Sequence, residues 1–230
     1  GILWLKKMNK VLIIVAHPDD EVLGCGGTIA NHTTKGDTVH VLFMTNGLGS
    51  RGESSNEDIL NRQSMAYQSA DILGVKSLTF LNFPDNSMDS IPLLNVVKKI
   101  EEEVNNFQPE IIYTHHIGDL NIDHQVTHKA VMTACRPQPN FCVKEIYCFE
   151  VLSSTEWTID NLFSPNCFVD ILGTFELKMT AMKMYGAELR PYPHARSIES
   201  VKVLAQYRGL SVGIELAESF IIKRILLHSV

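Results

Sequence analysis

At 230 residues, with a net charge of −6, 45% hydrophobic and 20% charged residues, the chain has the size and balance of a folded enzyme whose core stands without staples. The acidic balance argues against a phosphate-backbone binder, because the longest basic groupings are only Lys6-Lys7 and Lys98-Lys99. No run approaches the roughly 18 apolar residues of a membrane span. The five cysteines form no C-x-x-C pair, so a reducing, cytoplasmic setting and core packing are expected rather than disulfides or a thiolate metal site.

The opening GILWLKKMNK lacks a cleavable apolar segment, and Gly1–Lys7 reads as a tag remnant or N-terminal extension ahead of Met8. A single domain is expected over 8–230. Its first element is Val11–Ala16, a pure β run that stops at His17-Pro18-Asp19-Asp20-Glu21. A helix follows from about Val22 to Thr34 and carries Gly24, Gly26 and Gly27 near its start. Each interior Gly costs a helix about 1 kcal/mol against Ala, so three together imply close backbone approach. No G-x-G-x-x-G fits, which disfavours a dinucleotide site, and no G-x-S-x-G elbow supports a serine hydrolase.

Thr38–Met44 reads as a strand, and Thr45–Gly52 as a Gly-rich loop. Asp58–Leu73 has helical periodicity and ends at Gly74; Ser77–Leu81 is a short strand before the loop Asn82–Ser90. The helix Pro92–Asn106 leads to the strand Glu110–Thr114, which runs into a second polar cluster from His115 to His124. His124–Cys135 reads as a helix, Lys144–Phe149 and Cys167–Ile171 as strands, and Thr174–Tyr185 and Ser197–Tyr207 as helices. Periodicity leaves Ala217–Ile225 open between a strand and a helix end. Strands alternating with helices predict a Rossmann-like three-layer α/β sandwich, with a mostly parallel sheet and helices on both faces. In such sheets the site lies at the carboxyl ends of the strands, where both polar clusters fall.

Cluster one offers His17, Asp19, Asp20 and Glu21; cluster two offers His115, His116, Asp119, Asp123, His124 and His128. Charges buried at strand ends need partners, and imidazole with carboxylate suits zinc or a similar divalent ion. One His and one Asp from the first loop plus a His from the second complete a catalytic ligand set, leaving a carboxylate to act as general base. The plainer reading makes Asp19 or Asp20 a helix N-cap. His124 and His128 share a helix face, at most one of His115 and His116 faces the site, and His32, His40 and His228 fall outside it.

Ala16-His17-Pro18-Asp19-Asp20-Glu21 and Asp123-His124 resemble the motifs of the PIG-L/LmbE-like deacetylases. Thr45-Asn46-Gly47, Arg62, Pro84-Asp85-Asn86 and Arg196-Ser197-Ile198-Glu199 match weaker family positions. The resemblance implies an LmbE-like fold with Zn2+ held by His17, Asp20 and His124. It implies Asp19 as general base, and Arg62 and Asp85 as groups holding sugar hydroxyls. Asp123 and Glu21 fall behind these, orienting them. It further implies hydrolysis of a linear amide, releasing acetate from an N-acetylated amino sugar, sugar nucleotide or glycoconjugate. Many members carry His where Asn121 stands, as oxyanion stabiliser. An amide can donate but cannot act as an acid, so His194 is the expected replacement beside Asn121. Some members supply a late histidine across a subunit interface, which would require a homo-oligomer. The expected partner is a small N-acetylated sugar, with neither nucleic acid nor membrane. The competing readings are a metal-dependent esterase or amidase acting on a non-sugar acyl group, and a non-catalytic binding module whose clusters are helix caps.

Overall fold

The structure is a computed structural model and describes residues 8–46 and 56–227. The readings made for residues 1–7, for Gly47 and most of the glycine-rich loop, and for His228 lie outside the described residues.

Seven strands form one sheet: β1 (Lys10–Val15), β2 (Thr38–Thr45), β3 (Ser77–Phe83), β4 (Ile111–His115), β5 (Glu145–Phe149), β6 (Cys167–Asp170) and β7 (Ala217–Ile225). Their order is β3-β2-β1-β4-β5-β7-β6. The first five strands pair in parallel, and β7 runs antiparallel between β5 and β6. Among the described residues six α-helices accompany them: α1 (Asp20–Thr34), α2 (Asn56–Leu73), α3 (Leu93–Phe107), α4 (Ile122–Ala134), α5 (Phe175–Met184) and α6 (Ile198–Leu210). Pairing on both sides makes Ala217–Ile225 a strand, a choice that its local periodicity left open.

β1 reads as an unbroken apolar run because both of its faces are covered. Val11, Ile13 and Val15 join residues of α1, α5 and α6 in one core. Leu12 and Ile14 join residues of α3 and α4 in the other. Helices thus cover both faces of the sheet, as expected. The chain leaves β1 toward β2 on one side, while β4 lies on the other. The loops after β1 and β4 therefore diverge at a topological switch point, where open α/β sheets form their ligand crevice.

The helix starts refine the expected boundaries. α1 begins at Asp20, two residues before the expected Val22, and breaks helical geometry at Cys25. α4 begins at Ile122, because the Asn121 side chain accepts hydrogen bonds from the Asp123 and His124 N–H groups and caps the helix. Among the described residues the five cysteines are free, with Cys25, Cys135 and Cys148 buried. No helix among these residues is long and apolar enough to cross a membrane.

The early glycines let α1 settle on the sheet. A Cβ at Gly24 would lie 2.3 Å from Phe149 Cδ2, and one at Gly27 would lie 2.7 Å from Ile171 Cγ2. Phe149 is fully buried, so its ring has nowhere to retreat. In Gly24→Ala, overpacking of about 1–3 kcal/mol outweighs the helix-propensity gain of about 1 kcal/mol. A lower urea midpoint with an unchanged slope is the expected result.

Candidate active site

Backbone geometry first sets the loop after β1. Asp19 sits at the N-cap position of α1 with φ +114°, and its side chain makes no capping hydrogen bond. Asp20 Oδ2 accepts the His17 N–H at 2.9 Å. The plain capping reading of this pair of aspartates therefore fails for Asp19. Asp19, Asp20 and Glu21 are all buried, which requires compensation for three carboxylates.

Three side chains from the two loops converge. His17 Nδ1 lies 3.2 Å from Asp20 Oδ2, and His124 Nε2 lies 3.2 Å from the same oxygen. The two ring nitrogens are 3.3 Å apart. Metal–ligand bonds of about 2.0–2.1 Å in a tetrahedral array separate neighbouring donors by about 3.3 Å. The triangle is thus the size that an ion needs, and its members are buried. Asp20 Oδ1 is also buried and has no hydrogen-bond partner among the described residues, as a ligand-bearing carboxylate would leave it.

Each imidazole is backed by a carboxylate on its far nitrogen. His17 Nε2 meets Asp123 Oδ2 and Asp85 Oδ1, each at 3.0 Å. Asp123 is held in turn by the Asn86 N–H at 2.6 Å and the Met88 N–H at 3.0 Å. His124 Nδ1 meets Asp119 Oδ2 at 3.1 Å. Asp119 is itself held by the Ser154 and Thr155 hydroxyls and the Asn121 N–H. Such partners fix the tautomer, leaving the opposite nitrogen free to bind a metal.

His115 is present at the cluster but already engaged. Its Nε2 accepts the Ala16 N–H at 2.9 Å, and its ring stacks on that of His124 with centroids 3.9 Å apart. Next to it, His116 turns away to the Asn161 carbonyl, so one of this pair faces the site. His128 shares the α4 face but bonds the His115 carbonyl at 2.8 Å and stays outside the triangle. His32 and His40 lie elsewhere, paired with Asp37 and Glu103.

The electrostatics follow from burial and these contacts. Burial favours neutral Asp20, yet the neighbouring His124 and His17 hold its carboxyl well below the usual range. His124 is pushed up to about 9: burial lowers it, and Asp20 and Asp119 more than offset that. Asp119, against the same burial, falls to about 2 through His124 and the two hydroxyls. Burial drives His115 well below its ordinary value, with the His124 charge acting in the same direction. Burial raises Glu21 to about 8 even though the Tyr185 hydroxyl donates to it at 2.6 Å. Burial raises Asp19 too, against the opposing pull of Arg196 and Arg62.

Arg196 was visible in the sequence only as a matching position. It places Nη1 3.0 Å from Asp19 Oδ2 across 177 residues of chain. Asp19 Oδ1 is left buried with no hydrogen-bond partner among the described residues. Glu188, which no sequence signal marked, meets Arg62 Nη1 at 2.6 Å.

A cavity of about 330 Å³ opens over this centre, with His17, Asp19, Arg62, Asp85, Asn121 and His194 among its lining residues. All the expected site residues except Asp20, Glu21, Asp123 and His124 line it; those four lie beneath. Two of these side chains are also engaged within the protein. Arg62 is largely spent inside the protein, on the Pro18 carbonyl at 2.8 Å and on Glu188. Asn121 uses its carbonyl oxygen to cap α4 and one of its two amide hydrogens on Asn86 Oδ1 at 3.2 Å, which leaves one N–H uncommitted. His194 accepts the Arg196 N–H on Nδ1 at 3.0 Å. A neutral His194 ring therefore carries its proton on Nε2, as this hydrogen-bond pattern assigns it.

The mostly parallel α/β sheet carries at its switch point a buried His/Asp triangle that could hold a metal ion, the setting of a deacetylase in the relatives that follow. The chain belongs to the PIG-L family, described as GlcNAc-PI de-N-acetylase, whose model matches residues 12–135. That span includes both polar clusters and ends before Glu188, His194 and Arg196. A protein of Escherichia coli named as an uncharacterized deacetylase, YaiS, is 31% identical over 185 residues, 78% of this chain and 91% of its own. The diacetylchitobiose deacetylase of Thermococcus kodakarensis is 29% identical over 229 residues, covering 92% of this chain and 82% of its own. Among solved structures, N,N'-diacetylchitobiose deacetylase from Pyrococcus horikoshii superposes with a TM-score of 0.77 at 26% identity, covering 95% of this chain and 85% of that one.

Proposed function

We propose that the protein is a zinc-dependent N-deacetylase that hydrolyses the acetamide of an N-acetylated amino sugar or a conjugate of one. One observation carries this reading: the 3.2–3.3 Å triangle of His17, Asp20 and His124 lies beside an Asp19 carboxylate oxygen that has no hydrogen-bond partner among the described residues. Two imidazoles and one carboxylate form a donor set that zinc favours. The relatives named as deacetylases of diacetylchitobiose and of an acetamido-deoxyglucopyranoside support the substrate class.

Zinc held by His17, Asp20 and His124 would supply Lewis-acid polarisation of the acetamide carbonyl and acidification of water. Asp19 takes a proton from the attacking water as its oxygen adds to the acetamide carbon. Arg196 and Arg62 hold the ionised form of that carboxylate in place. His194 donates its Nε2 proton as a hydrogen bond to the developing oxyanion. The C–N bond then breaks, Asp19 returns its proton to the nitrogen, and acetate and a free amine leave. Asp85 accepts a sugar hydroxyl on the cavity wall, and Arg62 braces Asp19 and Glu188 beside it. Asn121 positions His124 through the helix cap, and Glu21 braces the loop by accepting the Asp19 N–H at 3.0 Å.

Acetate release measured over N-acetylated sugars, sugar nucleotides and glycoconjugates tests the proposal. Turnover lost on chelation and restored by zinc is expected. Failure of every N-acetyl amino sugar with zinc present overturns it. Asp123→Ala unmoors His17 Nε2 and two backbone donors, so metal affinity should fall about 10–100-fold. Competition against a chromogenic chelator reads that directly.

A further inference from the structure

α1 is two short helices joined at Cys25, whose φ of −150° and ψ of 26° leave helical geometry. Ahead of the break stand only residues 20–24, little more than one turn, with the ligand Asp20 at their start and Asp19 at the N-cap. So short a helix cannot hold itself, because nucleating a turn fixes about three residues for one hydrogen bond. What meets its two ends therefore sets its direction.

A buried ion pair meets the far end. Lys178 of α5 donates from Nζ to the Leu23 carbonyl at 3.0 Å and to Glu218 Oε1 of β7 at 2.6 Å. Glu218 accepts the Gly27 N–H on Oε1 at 2.9 Å and the Thr28 N–H on Oε2 at 2.7 Å. The Thr28 hydroxyl donates to that second oxygen at 2.6 Å. In an unbroken helix the Gly27 N–H would bond the Leu23 carbonyl. Here each of these two groups is met by a member of the ion pair. The signs suit both ends, with a cation at the C-terminus of the first turn and an anion at the N-terminus of the helix that follows. Lys178 is 3% exposed and Glu218 5%. A buried ion pair seldom adds stability over apolar residues of like volume, so stability by itself does not account for it.

We infer that Lys178 and Glu218 are positioning residues for the deacetylation, fixing the angle at which the first turn of α1 presents Asp19 and Asp20. The inference rests on the deacetylase reading for the reaction that it serves. The path is short. Leu23, whose carbonyl takes Lys178, donates its own N–H to the Asp19 carbonyl at 3.0 Å. From the break itself the Cys25 thiol turns back to the Glu21 carbonyl at 3.4 Å. Beyond the break Gly27 lies tight against Ile171, which gives the pair a firm base to work from. Asp85 and His194 stand on other loops, so a tilt of this turn displaces the base and a ligand without moving those two groups.

Comparison of the parent with Lys178→Met/Glu218→Gln tests this. The double variant removes both charges and the donor to Leu23, and it leaves no unpaired ion. Zinc affinity is read by competition with a chromogenic chelator, and melting temperature by calorimetry. Acetate release from N-acetylglucosamine and N,N'-diacetylchitobiose at saturating zinc gives kcat and KM. We expect kcat about tenfold lower or more with KM unchanged, and zinc bound about tenfold more weakly. Glu218→Gln is the milder variant. Its amide presents one accepting atom where the carboxylate presents two, so either Gly27 or Thr28 loses its acceptor, and smaller falls of the same sign follow. A merely structural pair would lower the melting temperature and leave kcat and zinc affinity at parental values. That result in a folded double variant overturns the inference, as it does in Glu218→Gln where the double variant does not fold. A change confined to KM overturns it too. If neither sugar yields acetate from the parent, the deacetylase reading loses its support, and zinc affinity alone decides whether the pair positions the metal-binding turn.

Discussion

Asp19→Asn should slow acetate release by about 10²–10⁴-fold, the range associated with a general base, with metal content and melting temperature close to those of the parent. Asn keeps the size of Asp and removes the proton-accepting charge. It is also the better probe on backbone grounds, because position 19 has φ +114° and Asn tolerates positive φ far more readily than Ala. Asp19→Ala would add backbone strain to the loss of the base, mixing a folding effect with a chemical one. The Asn variant leaves Arg196 and Arg62 facing Glu188, with Arg196 Nη1 3.9 Å and Arg62 Nη1 2.6 Å from it. The guanidiniums therefore keep one anionic partner. Metal analysis by mass spectrometry and initial-rate acetate assays check the two halves of the expectation. A variant that keeps a near-parental rate removes Asp19 from its role.

Asp20→Ala should instead lose the metal and the turnover together. A metal's contribution of several kcal/mol to the transition state, at 1.36 kcal/mol per tenfold, implies a fall of about 10³ or more. Its neighbours deepen the loss. His17, His115 and His124 all lie within 3.4 Å of Asp20 Oδ2, and removing the carboxylate leaves these rings crowded together with no anion between them. Stability supplies an independent readout. A ligand that binds only the folded state stabilises it by RT ln(1 + [L]/Kd). Zinc should therefore raise the melting temperature of the parent and of Asp19→Asn, but not that of Asp20→Ala. Adjacent aspartates giving opposite results on metal content and like results on rate would separate a base from a ligand. Equal metal content in both variants would remove Asp20 from the ligand set.

Much of the site is legible in local pattern. An apolar run ending in His17-Pro18-Asp19-Asp20-Glu21 announces buried charge, because a strand covered on both faces cannot release its end to water. The alternation of strands and helices announces the parallel sheet, and with it the edge at which the two clusters meet. Gly24 announces a close approach, though not that Phe149 is what approaches. Less legible were positions whose role depends on a distant partner. Asn121 reads as a hydrogen-bond donor at the site, and only the start of α4 at Ile122 shows that its carbonyl oxygen is a helix cap. Arg62 reads as a sugar-binding cation, and only the return of the chain with Glu188 shows where its charge is spent.

Residue chemistry along the chain thus sufficed for the α/β class, the layering, the strand-end location of the site and the donor types it holds. These follow from short-range periodicity and from the cost of burying charge, both of which are local. The three-dimensional arrangement alone settled which nitrogen of each histidine meets the triangle and that Arg196 braces Asp19. The last strand also took its identity from pairing on both sides. Those outcomes rest on contacts between residues up to 177 positions apart. Contacts of that span leave no periodic trace in the sequence, since their geometry exists only once the sheet has brought its strand ends together.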